Sequence, residues 1–139
     1  MASDMTSTRQ TPVNKLHAHD PIVETTAVLG SPIDPRHIKQ RKQGNAVLDY
    51  VPWAVLTKCL HHRVPGWSFE LLEVKEIGSW VVVSGRLTVP VGDGEVSYDA
   101  VSSELLETKG APPVETAASS CLRRACALAG LGLELWLDH

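Results

Sequence analysis

Arg123 and Arg124 stand side by side in a run of small residues, Ala118-Ser119-Ser120-Cys121-Leu122-Arg123-Arg124-Ala125-Cys126-Ala127. A guanidinium carries a rigid fork of donors that grips phosphate through paired hydrogen bonds. Short neighbours on one helix would let a flexible polyanion come close to the backbone. A solvated helix face, with ion pairs to Glu115 or Glu134, is the alternative at these positions. A second basic group, Arg36, Lys39, Arg41 and Lys42, lies in a segment too polar to be core. Binding a single strand needs such a basic track together with flat shelves for bases. Tyr50, Trp53 and Trp67 could be those shelves, although the usual burial tendencies of these residues favour the core.

The net charge of −3 argues against a polyanion partner until the chain is divided. Residues 31–65 hold six basic side chains against two acidic ones, whereas residues 66–139 hold five against eleven. A local basic surface binds phosphate whatever the total charge.

Enzymatic chemistry finds little support. The chain has no phosphate-binding G-x-x-x-x-G-K-[ST], no G-x-S-x-G and no H-E-x-x-H. Cys59-Leu60-His61-His62 is a poor metal set, because adjacent histidines on a regular helix cannot face one ion. His17, His19 and Asp20 could chelate, but fall in a polar, proline-broken tail. Glu70 and Glu76 should share one face of a strand and Glu73 the other, so these carboxylates should not converge. A nuclease using Glu104, Glu107 or Asp99 with a metal ion is the enzymatic rival. We expect no catalytic residue, metal or cofactor.

The elements that must position the basic groups follow from periodicity. Residues 1–28 should be a flexible N-terminal tail, and 29–139 one domain. Ala46–Val51 is β-favouring. From Pro52 a helix runs to about Arg63, with Trp53, Leu56, Thr57 and Leu60 as its buried stripe. Strands from Trp67 to Ile77, Trp80 to Val89 and Glu95 to Val101 are separated by Gly78-Ser79 and Gly92-Asp93-Gly94, giving an antiparallel meander. A last helix starts at Pro112-Pro113 and stops at Gly130 or Gly132, with Val114, Ala117, Ala118, Cys121, Ala125 and Leu128 as its apolar face. Its small residues should let it lie close to the sheet. The fold class is α+β, a three-stranded antiparallel meander flanked by helices.

Three cysteines do not suggest a disulfide framework, and reduced thiols fit a cytosolic compartment. The start lacks an apolar signal region and is poor in arginine, so neither secretion nor an organelle presequence is expected. The short C-terminus leads us to expect no partner-binding tail.

The stretch Ala118 to Gly132 resembles the signature helix of the Rad-fifty-two-type recombination proteins, a small-residue helix with a Leu-Lys/Arg-Arg-Ala centre and a Gly-x-Gly-like end. Leu133-Glu134-Leu135-Trp136 is similar to the mitochondrial branch. Ile38-Lys39-Gln40-Arg41 ahead of Tyr50 resembles the family's Ile-x-x-Arg before an aromatic, and Gly66-Trp67-Ser68 resembles the Gly-Trp entering its first long strand. Ala127 departs from the pattern, which often has a basic residue there. The resemblance implies a non-enzymatic domain over 29–139 that anneals complementary single strands of DNA without ATP, in recombination and repair. It also implies a homo-oligomer, ring or filament, with a single-strand binding protein as a further partner and no membrane association. Arg41, Arg123 and Arg124 match positions that contact DNA backbone in that family, with Arg36, Lys39, Lys42 and Tyr50 beside them. A bacterial or phage-infected cytoplasm, near the nucleoid, is expected ahead of the mitochondrial matrix. A protein–protein adaptor of the same fold class, without nucleic-acid activity, is the alternative.

Overall fold

A computed structural model describes residues 20–107 and 109–137. Most of the expected tail, with His17 and His19, lies outside the described residues.

Within the expected tail, Pro21–Leu29 forms helix α1. Asp20 caps it by accepting a 3.0 Å hydrogen bond from Ile22 N, proline occupies its first turn, and Leu29 is buried. A short 3-10 turn at Pro35–His37 leads into a hairpin of β1 (Lys39–Gln43) and β2 (Ala46–Tyr50). Of these two strands, β-favouring residues mark only the second. Helix α2 (Trp53–Arg63) follows, with Leu56 and Leu60 buried as expected. Trp53 departs from the expected stripe at 55% exposed, because it sits on the first residue of the helix, before the chain reaches the core.

Strands β3 (Ser68–Ile77), β4 (Trp80–Val91) and β5 (Gly94–Leu105) make the antiparallel meander in the order β3-β4-β5. A bulge between Leu71 and Glu73 resets the alternation of β3. Glu70 and Glu73 therefore pair with Arg86 and Ser84 on one face, while Glu76 pairs with Val81 on the other. This corrects the expected sharing of a face by Glu70 and Glu76.

Helix α3 (Pro113–Leu128) covers the sheet face that presents Val81, Val83, Leu87, Val89 and Ala100. The small residues do what their size predicts. Ala117, Cys121 and Ala125 are fully buried, and Cys121 Sγ reaches Ala100 O at 3.4 Å. Gly85 on β4 completes the close approach. A Cβ there would lie 2.5 Å from the Phe69 ring and 3.0 Å from Cys121 Sγ. Val114 and Leu128 of the expected apolar face are instead exposed, and Leu122, Cys126 and Ala129 are buried. The helix ends in a left-handed glycine, Gly130 at φ 106°, with Leu131 N donating to Cys126 O at 2.8 Å. The opposite sheet face stays open, with Trp80, Val101 and Leu105 exposed. No helix among the described residues is long and apolar enough to cross a membrane.

Candidate nucleic-acid interface

The site begins with the register of the first hairpin. Lys39 pairs with Tyr50 and Arg41 with Leu48, which puts these four side chains on one face. Gln40, Lys42, Val47 and Asp49 take the other, where Gln40 Nε2 donates to Asp49 Oδ1 at 3.1 Å. Alternation along β1 thus separates Arg41 from Lys42.

The Tyr50 ring is the meeting point. The guanidinium carbons of Arg41 and Arg123 each lie 5.8 Å from its centroid, a cation–π distance from either side chain. Arg123 Nη2 also donates to Ser120 Oγ at 2.8 Å, one turn back on α3. Arg124 lies 5.3 Å from the Trp136 ring, which a 3-10 turn at Leu133–Leu135 carries back over the helix.

Between hairpin, β5, α3 and this C-terminal turn lies a cavity of about 290 Å³. All three arginines, Tyr50 and Trp136 line it, and Leu48, Val51, Leu56, Leu131 and Leu135 add apolar lining. Ser102 and Glu104 line it from the α3 side of β5. Burial lowers the pKa of Arg123, and repulsion from Arg41 lowers it further. Among the described residues, no carboxylate lies within ion-pair distance of Arg41, Arg123 or Arg124. The alternative partner Glu134 instead accepts a 3.3 Å hydrogen bond from Ile33 N. The arrangement gathers exposed Arg41 and Arg124 around half-buried Arg123, a concentration of positive charge held by aromatic rings and open to an anion.

The structure brings Arg41, Tyr50, Arg123 and Arg124 together and leaves Arg36, Lys39 and Lys42 outside the cavity lining. Arg36 is turned to Asp34, with Nε–Oδ1 at 3.1 Å and Nη2–Oδ2 at 2.6 Å, and this pairing holds the Asp34 carboxyl down at about 2. Arg63, counted above with the basic segment, is a clasp. It donates to the carbonyls of Leu29, Ser31 and Pro32. Of the proposed shelves, Trp53 is exposed outside the cavity lining, and Trp67 donates from Nε1 to His61 Nδ1 at 3.0 Å. Asp99 pairs with Arg86, and no three His, Cys, Asp or Glu gather as a metal site among the described residues. Trp136 and Ser120 were not among the expected site residues, and Glu104 was expected only in the nuclease alternative. The Gly44-Asn45 pair between β1 and β2 was the available hairpin signal.

No family model matches the chain. It is 29% identical over 119 residues to DNA repair RAD52-like protein 1, mitochondrial, of Arabidopsis thaliana, covering 84% of this chain and 68% of that protein. It is 30% identical over 122 residues to DNA repair RAD52-like protein 2, chloroplastic, of the same plant, covering 84% of this chain and 61% of that protein. A solved chain from work on an enumerative algorithm for de novo design of proteins with diverse pocket structures aligns at 18% identity. It covers 66% of this chain and 90% of that one with a TM-score of 0.27, too low to carry an argument.

The chain spans rather less than the whole of both plant relatives. Their similarity over most of its length agrees with the resemblance of the signature helix to the Rad-fifty-two-type superfamily, and both relatives are named as DNA repair proteins. The expected bacterial or phage cytoplasm is corrected by the same finding, since the two relatives are named mitochondrial and chloroplastic. That expectation leaned on reduced thiols, which do not distinguish a cytosol from an organelle interior.

Proposed function

We propose that the domain binds single-stranded DNA along Arg41, Arg123 and Arg124 and promotes ATP-independent annealing of complementary strands. One observation carries this reading: guanidiniums from the hairpin and from α3 converge on Tyr50 without a carboxylate partner among the described residues. Concentrating like charge around half-buried Arg123 is unfavourable, and a bound phosphate relieves it. Strand binding then releases counterions and leaves most bases free for a pairing search. The work is positioning, not bond chemistry.

Several copies side by side would make the track continuous. The free edges of β3 and β5, and the open sheet face, offer surfaces for a second copy to join. The plant relatives, both named as DNA repair proteins, support the recombination setting.

The test mixes complementary oligonucleotides with the protein, without nucleotide or metal, and follows duplex formation. The account expects faster annealing, lost in Arg123→Ala with Arg124→Ala. A folded protein that neither binds a single strand nor speeds annealing would favour the adaptor instead.

A further inference from the structure

The cavity beneath the arginines contains more than a phosphate requires. A phosphate is satisfied at the rim by guanidinium donors and has no use for leucine walls. Yet Leu48, Leu56 and Leu131 line the space, and so does the carboxylate-bearing Glu104. Glu104 shares the cavity wall with Arg123 but forms no ion pair with it. A carboxylate in a groove for a polyanion repels the very backbone the arginines attract. It is, however, an acceptor complementary to an amino group on a base edge.

Shape points the same way. At about 290 Å³ the cavity is at the small end of ligand pockets, which run from roughly 300 to 1,000 Å³. That is too little for a folded segment of strand and suits one planar ring. Tyr50 and Trp136 supply aromatic surfaces at its wall.

Resting on the single-strand reading above, we propose that one base of the bound strand turns into this cavity. It lies against the aromatic side chains, with its exocyclic amino group donating to the Glu104 carboxylate. The site then prefers amino-bearing bases, cytosine above all, over thymine, which has no such group.

The test compares three strands of one length at one salt concentration by fluorescence anisotropy: oligo-dC, oligo-dT and an abasic strand with the same phosphates. Wild-type protein should bind oligo-dC about tenfold more tightly than either of the others, as the loss of one stacked or hydrogen-bonded base implies. Glu104→Ala should bring oligo-dC and oligo-dT within about twofold of each other. It should not weaken oligo-dT, because it removes a repelling charge. Equal wild-type affinity for abasic and dC strands overturns the proposal without needing any variant. So does a dC preference that survives in folded Glu104→Ala. Either result, with strand binding still lost in Arg123→Ala with Arg124→Ala, leaves the phosphate reading standing. If wild type binds no strand, both readings fall.

Discussion

Arg41 and Arg123 converge on one ring: each guanidinium carbon lies 5.8 Å from the centroid of Tyr50. One arginine comes from the first hairpin and the other from the last helix, so the ring ties distant parts of the chain into one cationic surface. Two positive groups set this close repel each other, and burial of Arg123 adds to the cost. The quadrupole of the ring offsets part of it. An arriving phosphate offsets the rest, which is why the pair suits an anion site better than a structural one.

The ring should therefore matter through its face. Tyr50→Phe keeps the π surface and should bind a single strand within about twofold of wild type. Tyr50→Ala frees both guanidiniums, and at roughly 0.5–1 kcal/mol for each contact should weaken binding about five- to thirtyfold. Titration of a labelled strand distinguishes the two. Equal behaviour of the two variants would mean the ring does not organise the arginines.

Close packing of α3 on the sheet depends on Gly85. Its substitution by alanine places a methyl group 2.5 Å from the Phe69 ring. Overpacking of this kind costs about 1–3 kcal/mol, readable as a lower urea midpoint. Strand affinity of the folded fraction should be unchanged, because Gly85 does not line the cavity.

Two other arginines separate charge from function. Arg63→Ala removes donors from the Leu29, Ser31 and Pro32 carbonyls and should cost about 1–3 kcal/mol of stability with little effect on strand binding. Arg36→Ala, at an exposed pair with Asp34, should leave the urea midpoint unchanged and affinity within about twofold. A large loss of binding in either would redraw the site.

Alkaline stability should report on Cys126. Burial pushes its thiol up to about 12 from an ordinary 9.0, with Cys59 adding to the shift. The folded value is raised, so the stability it contributes is complete below 9.0 and is lost as pH climbs toward about 12. Thermal midpoints should fall across that window more steeply in wild type than in Cys126→Ala. Parallel curves would contradict the assignment.

Much of the fold was legible because it is written in local patterns. Alternation and paired glycine turns marked the meander, and a proline start, a glycine stop and small residues marked α3. The bulge at Leu71/Glu73 was not legible, since it changes the parity of β3 without any residue type that demands it. The site was half visible. Adjacent arginines and the basic cluster stood out, but only the hairpin register decides that Arg41 shares a face with Tyr50 while Lys42 does not. Trp136 joins the site through a turn that returns the chain over Arg124, a tertiary contact that periodicity does not encode.

The central claim is that Arg41, Arg123 and Arg124 each meet the phosphate backbone. Its most direct test is the salt dependence of single-strand binding in wild type and in Arg41→Gln, Arg123→Gln and Arg124→Gln. For single strands the logarithmic slope is about −0.7 for each phosphate contact. Each folded variant should lower affinity and make the slope shallower by about 0.7. Variants that keep both the wild-type affinity and the wild-type slope would contradict the account.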